Sequence, residues 1–365
     1  MNGEDVHQQP PVRDPTSRRV QLAAMAVTAE PILASPLWRP AQTPSGAPQS
    51  PRKLRTGHHS IDAALEGGLE YGTICCISAE AKSGAGDITH AMLVSHLLDD
   101  PISTATVIDT TLSFDLRGLH SKLVRRLQAR GEGISKAMAI LERLKIMKVF
   151  DFVGLTESTT EIREALERGG KLQSSQLAPP RGTVGDSEDE DLLDVASPPR
   201  EPTSPVQPGD STNLAVPGLV IIDSLTHVAA PVIKSNHIQG QALLTSFIRS
   251  LAHLARTHNL GVLLINTATT YAQALEDPPS IFASCALHPA LGKTFAFLLD
   301  THLLVHSVPK TPADTRVVSG GKQDVGSRRG GEVVEVVEVL QDRSAGRVGM
   351  WAAFGIDAQG DVAEV

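Results

Sequence analysis

Short aliphatic runs alternate with amphipathic stretches over most of the chain. Apolar runs bounded by polar residues are typical of buried strands, and apolar residues that recur at helical spacing are typical of helices packed on a sheet. The predicted strands are 73–78, 104–109, 145–151, 219–223, 262–266 and 295–306. The predicted helices are 88–98, 116–129, 158–168 and 241–258. This alternation predicts an α/β fold with a mostly parallel twisted sheet and helices on both faces.

The C-terminal part of the chain has a different pattern. Two apolar segments, 333–340 and 348–354, flank a polar stretch with a glycine at position 346. Such a pattern is typical of a hairpin. We therefore expect an antiparallel edge at this end of the sheet.

Two segments lack any sustained hydrophobic period. Residues 1–50 are rich in Pro, Ser, Thr and Gln, and we predict a disordered N-terminal arm there. Residues 170–216 are rich in Pro and Ser and contain eight acidic and three basic residues, which indicates a disordered acidic insertion. The remaining sequence, 51–365, is then one core domain interrupted by this insertion.

Composition excludes several classes of protein. Hydrophobic residues make up 41% of the 365 and aromatic residues only 3%, so the core is expected to be aliphatic. No apolar run approaches the roughly 20 residues that a membrane span needs. The three cysteines form neither a disulfide framework nor a zinc spacing, which favours an intracellular protein without a metal centre. Most of the net charge of −8 lies in the insertion and so says little about nucleic-acid contact by the core.

Polar side chains end three of the predicted strands. Asp109, Asp223 and Asn266 each follow an aliphatic run. In parallel α/β sheets, ligands bind at the carboxyl ends of the strands. Three such residues in one core favour a binding site over the ordinary polar ends that any strand has.

The first strand runs into a degenerate phosphate-binding loop. Such a loop needs glycines, a lysine for the β- and γ-phosphates and a hydroxyl residue for magnesium. Aligned with that pattern, the first glycine is Ala79, the second is kept as Gly84, the lysine is Ala85 and the hydroxyl residue is Gly86. Lys82, beside Ser83, is a candidate to fold back and replace the lost charge. The alternative is a strand, turn and helix that bind no phosphate.

The order of motifs resembles a known family. The resemblance is carried by 54–62 (LRTGHHSID), Gly67-Gly68-Leu69, 220–226 (VIIDSLT), 261–267 (GVLLINT) and 289–304, which begins PALGKTF. This series is similar to the RecA-like recombinases, to the eukaryotic paralogues of the strand-exchange recombinase and, among these, most of all to the D-type paralogues. It implies a RecA-like core.

The resemblance also assigns roles to residues. It implies Asp223 as the aspartate of the magnesium site and Asn266 as a phosphate sensor, with ATP and Mg²⁺ bound weakly. The family's catalytic glutamate falls at Thr111, so we predict no catalytic residue. The family's arginine after Thr301 is His302 in this sequence. Family members contact DNA after the aspartate strand, where Lys234 is the candidate, and after the strand ending at Asn266, where no Lys or Arg occurs between Arg256 and Lys293.

From these features we expect a non-catalytic accessory, or mediator, subunit in homologous-recombination repair. It would act in the nucleus by binding other recombinase paralogues, the strand-exchange recombinase and single-stranded DNA. Two alternatives stay open. One is a weak DNA-dependent ATPase that a partner paralogue completes in trans, and the other is an unrelated interaction protein on a decayed phosphate-loop scaffold.

Overall fold

The computed structural model describes residues 52–80, 83–177, 218–270, 279–310, 333–343 and 346–365. These ranges lie within one unit, Pro51–Val365, whose central strands are buried and aliphatic. The predictions for the arm at 1–50, for Lys82 and for most of the insertion fall outside the described residues.

The described residues contain both predicted kinds of element. The strands are β1 (Lys53–Leu54), β2 (Leu69–Glu70), β3 (Ile74–Ala79), β4 (Thr104–Asp109), β5 (Leu144–Lys148), β6 (Gly218–Asp223), β7 (Gly261–Thr270), β8 (Leu287–Pro289), β9 (Thr301–Pro309), β10 (Val333–Asp342), β11 (Trp351–Ile356) and β12 (Val362–Ala363). The helices are α1 (His59–Ala64), α2 (Ala85–Asp99), α3 (Leu116–Ala129), α4 (Lys136–Leu141), α5 (Phe152–Leu177), α6 (Leu225–Ser235), α7 (His237–His258) and α8 (Gly292–Ala296).

Ten strands form the main sheet, in the order β12-β11-β10-β9-β3-β7-β6-β4-β5, with β8 paired to β7. The six strands from β9 to β5 are mutually parallel. Beyond β9 the sheet continues antiparallel through β10, β11 and β12. The predicted mostly parallel sheet with an antiparallel C-terminal edge is therefore confirmed.

The core has two layers, one on each face of the sheet. Along β3, Cys75 and Ile77 contact the layer that contains α2 and α3, whereas Ile74 and Cys76 contact the layer that contains α6 and α7. Successive side chains of a strand point to opposite faces, so a strand covered on both sides must be apolar throughout. This explains the unbroken run Ile74–Ala79, in which every residue is buried.

Several boundaries differ from the sequence predictions. The strand predicted at 295–306 begins only at Thr301, because the buried Phe295 lies in the short helix α8 and the carboxylate of Asp300 accepts the backbone N–H of Ile74 at 2.9 Å. Helix α5 begins before the predicted 158–168 and continues into the range of the predicted insertion. Helix α6, which contains Pro231, was not predicted.

Candidate functional site

A cleft of about 740 Å³ opens at the carboxyl ends of the central strands. The loop after β3, the loop after β4, one face of α6 and the end of β7 line it. Among the predicted site residues, those that line this cleft are Ala79, Ser83, Ala85, Gly86, Asp223, Asn266 and Lys234. The parallel register explains the grouping, because Ser78 lies opposite Asn266 and Asp109 lies opposite Asp223.

The two glycines of the degenerate loop differ in their surroundings. Gly84 is buried and precedes α2, and a Cβ at this position would lie 2.6 Å from a ring carbon of Phe354. Gly86 is exposed, and a Cβ there would meet nothing within 4 Å. Packing against β11 therefore explains the glycine at 84, whereas no steric contact among the described residues requires one at 86.

Helix α2 begins at the loop without a side-chain cap. The first backbone N–H groups of a helix have no carbonyl acceptor within the helix and are available to an anion. Asp87, in the first turn, does not line the cleft, because its carboxylate forms a salt bridge of 2.7 Å with the buried Lys122 of α3. The cleft side of this helix end thus consists of the small residues Ala85 and Gly86.

The loop after β4 is held by one buried carboxylate. Asp109 is 2% exposed and accepts the backbone N–H groups of Thr111 and Phe114, each at 3.1 Å. The hydroxyl of Thr111 lies 3.2 Å from Asp109 and 2.7 Å from the hydroxyl of Ser113. A threonine hydroxyl cannot serve as a general base near neutral pH. The position that the resemblance gives to a catalytic glutamate therefore holds a side chain without that chemistry.

Asp223 ends the neighbouring strand in a different environment. Burial, and secondly the charge of Asp109, raise the pKa of Asp223 to about 6. No described Lys or Arg forms a salt bridge with it. The peptide bond from Asp223 to Ser224 is cis, and Thr110 bonds to both the N–H and the C=O of Ser224, at 2.9 and 2.8 Å.

Four buried or partly buried polar side chains form a line of hydrogen bonds that begins at the cleft lining, with Thr226 and Asn266. The hydroxyl of Thr226 donates to the amide oxygen of Asn266 at 2.5 Å, and the amide nitrogen of Asn266 donates to the hydroxyl of Ser78 at 2.8 Å. Ser78 lies 2.7 Å from Nε2 of His302. We call these four residues the polar chain.

The polar chain ends at the neutral ring of His302. Burial lowers the pKa of His302 to about 4, so the ring is neutral at physiological pH. Ser78 accepts a hydrogen bond from Asn266, and its hydroxyl shares a second hydrogen bond with Nε2 of His302. Asn266 is 1% exposed and bonded at both ends of its amide, so a role as phosphate sensor would require one of those bonds to break. Sequence reasoning missed Ser78 and the role of His302, although a histidine at the family's arginine position was visible.

Helix α6 forms the wall opposite the loop. Its residues His227, Ala230, Pro231 and Lys234 line the cleft. Only Asn236 separates α6 from α7, and its side chain accepts the backbone N–H of Gln239 at 3.1 Å. The segment that the resemblance assigns to DNA contact therefore consists of two helices joined by one residue. The assignment of Lys234 to DNA stays a prediction.

The described residues contain neither a metal-binding cluster nor a membrane-spanning helix. Within them, no group of three or more His, Cys, Asp or Glu side chains has the arrangement of a metal site. None of the described helices has the length and apolar character needed to cross a membrane.

The fold and the cleft together define a class of protein. The strand that leads into the phosphate-type loop and helix α2 lies in the middle of the main sheet, and one strand, β7, separates it from the strand that ends in Asp223. The sheet continues antiparallel at its C-terminal edge. This is the RecA-like α/β fold, as the motif series predicted.

Comparison with known proteins adds named relatives. No family model matches the chain. Over 254 residues it is 23% identical to DNA repair protein RAD51 homolog 4 of cattle (Bos taurus), which covers 70% of this chain and 61% of the bovine protein. The mouse protein (Mus musculus) of the same name is 23% identical over 260 residues, 69% of this chain and 60% of the relative. The chain thus spans less than two thirds of these relatives' length.

A solved structure of the RadB recombinase is also similar, with a TM-score of 0.47, 20% identity and coverage of 86% of this chain and 99% of that one. The sequence relatives confirm the resemblance to recombinase paralogues.

Proposed function

We propose that this protein is a non-catalytic accessory subunit in recombinational DNA repair and acts by binding. One observation carries the proposal. Ala85, Gly86 and Thr111 occupy the positions at which the resemblance implies a lysine, a magnesium-binding hydroxyl and a catalytic glutamate, and all three line the same cleft. Phosphoryl transfer depends on positioning and on charge at these points.

The same substitutions weaken nucleotide binding without removing the space for it. Hydrogen bonds to charged groups contribute about 1.5–3 kcal/mol each, so loss of the loop lysine weakens ATP binding by about ten- to a hundredfold. Asp223 remains at the cleft as a magnesium ligand for ATP that is bound without turnover. In this proposal the site binds nucleotide weakly, and the protein acts by assembling with its partners and not by hydrolysis.

Partners and compartment are proposed by analogy with the relatives. RAD51 homolog 4 is by its name a DNA repair protein, which favours a nuclear location and contact with other recombinase paralogues, the strand-exchange recombinase and single-stranded DNA. Large exposed apolar side chains near both edges of the sheet support binding to protein partners. They include Phe150 after β5, 75% exposed, and Trp351 on β11, 48% exposed.

The alternative is a weak ATPase to which a partner paralogue supplies the missing charge. The retained Asp223, half-buried at the cleft beside Ser224, favours this second function. In that case hydrolysis requires the partner and depends on the carboxylate.

The test combines co-purification with labelled ATP. The tagged full chain is isolated from nuclear extract of its own cells, bound proteins are identified by mass spectrometry, and ATP hydrolysis is measured for the complex. We expect a recombinase paralogue in the complex and no hydrolysis that depends on this chain. Hydrolysis lost in Asp223→Asn but kept in the control Asp87→Asn, whose carboxylate faces α3, would establish the ATPase alternative instead. Absence of every recombinase protein would contradict both functions and leave an unrelated interaction protein.

A further inference from the structure

One face of helix α6 faces the phosphate-type loop across the cleft. His227, Ala230 and Lys234 follow at the spacing of one helical face and line the cleft. The opposite face, Leu225, Val228 and Ala229, is buried in the core. Because the buried face fixes the rotation of the helix, the cleft position of Lys234 follows from packing and not from a chance side-chain conformation.

Charge at the cleft is unevenly distributed. Glu80 and Asp223 contribute carboxylates, and Lys234 is the lysine or arginine found among the described lining residues. No described carboxylate forms a salt bridge with Lys234, whereas Lys122 and Lys145 are paired with Asp87 and Glu161. A lysine on a flexible stem serves as a point charge for phosphate.

The geometry points to Lys234 as the cation that binds the phosphate groups of a nucleotide in this cleft, in place of the lysine that is absent at position 85. This inference rests on the proposed function in one respect, that the cleft holds nucleotide without turnover. It moves the recognition of phosphate from the loop to the facing helix.

Two properties of the cleft support a phosphate ligand at this place. Its volume of about 740 Å³ is ample for a nucleotide. The side of Gly86 is open, so a phosphate can approach the uncapped first turn of α2.

Lys234 is also the residue that the resemblance assigns to DNA contact, and the structure favours nucleotide as its ligand. The segment after the aspartate strand is helical here, with Asn236 alone between two helices. Lys234 precedes that residue and is on the cleft face. The two ligands make opposite predictions for a substitution at this position.

The experiment measures binding of a fluorescent ATP analogue to the full chain by anisotropy, with Mg²⁺ present. Lys234→Ala should raise Kd by about ten- to a hundredfold, as expected for one charged hydrogen bond, and Lys234→Arg should restore most of the affinity. The matched control is Lys148→Ala, which removes an exposed lysine that ends β5 outside the cleft lining and should leave Kd within about twofold. Thermal unfolding of each variant confirms that it is folded.

Three results would overturn the inference. They are equal Kd values for Lys234→Ala and Lys148→Ala, loss of single-stranded DNA binding alone in Lys234→Ala, and loss of nucleotide binding in Lys82→Ala with none in Lys234→Ala. A wild-type chain that binds no nucleotide up to about millimolar concentration would overturn it as well. Co-purification of a recombinase paralogue would still stand in that case, so the failure of this inference and of the proposed function can be distinguished.

Discussion

The loop after β3 and the polar chain depart to different degrees from the pattern that the resemblance implies. At the loop, Ala85 and Gly86 occupy the positions of the two residues that phosphate chemistry needs. In the polar chain, Asn266 and Ser78 remain bonded to each other at 2.8 Å, and His302 is bonded to Ser78 although the resemblance implies an arginine there. In the alignment that the resemblance implies, the side chains that would act on a phosphate differ from the family's pattern, whereas hydrogen bonds join the strand ends below them. The difference teaches that chemistry at a strand end and the bonds that hold the strand ends together are separate features.

The largest effect is expected from breaking the polar chain. Asn266→Leu removes both hydrogen bonds of the amide and leaves Ser78 and Thr226 without these partners in a buried place. We expect a loss of about 2–4 kcal/mol in the free energy of unfolding, measured by urea denaturation. The control Ser113→Ala removes an exposed hydroxyl of the cleft and should cost less than about 0.5 kcal/mol. Equal effects would mean that the polar chain does not stabilise the fold.

Gly84→Ala should be the next largest. Its Cβ would lie 2.6 Å from the ring of Phe354, which itself is fully buried, so the ring or the loop must move. Overpacking of this kind costs about 1–3 kcal/mol. The double variant Gly84→Ala, Phe354→Leu should recover part of the loss, because leucine vacates the ring position. Purely additive changes in the free energy of unfolding would show that Phe354 is not the cause.

Asp223→Asn should stabilise the protein by about 1–2 kcal/mol at pH 7. Burial and Asp109 raise the pKa of Asp223 to about 6, above the ordinary value of 3.8, so the folded state holds the proton more tightly. The wild type is therefore favoured at pH 4 and loses that stability as pH rises towards 6. The free energies of unfolding of wild type and variant should be similar at pH 4 and differ at pH 7. A difference that does not change with pH would contradict the raised pKa.

Gly86→Ser should have the smallest effect. The side chain enters open space at the first turn of α2, and serine has a better helix propensity than glycine. We expect the free energy of unfolding to be unchanged or raised by less than about 0.5 kcal/mol. Thermal unfolding would show this as an equal or slightly higher melting temperature. A large loss of stability would show that the loop at 86 is as restricted as at 84.

Much of the fold and part of the cleft could be predicted because the signals are local. Strand ends at Asp109, Asp223 and Asn266 are visible as polar residues after apolar runs, and parallel strands bring such ends together. Contacts between distant segments gave no local signal. Ser78 and His302 are 224 residues apart, and the pairing of Gly84 with Phe354 depends on how the antiparallel edge packs over α2.

Helix α6 escaped prediction for another reason. Its sequence contains Pro231, which removes a backbone donor and argues against a helix interior, and the segment follows the aspartate strand where the resemblance suggested a loop. Packing of Leu225, Val228 and Ala229 outweighs that cost. The position of Lys234 at the cleft could not be expected without this helix.

The short junction at Asn236 has a consequence for the thermodynamics of association. A loop that becomes ordered on binding loses conformational entropy, about 1–2 kcal/mol per residue at room temperature. Helices α6 and α7 leave only Asn236 between them. A partner that contacts this surface therefore orders few loop residues, so its binding should show a small entropic cost and fast association.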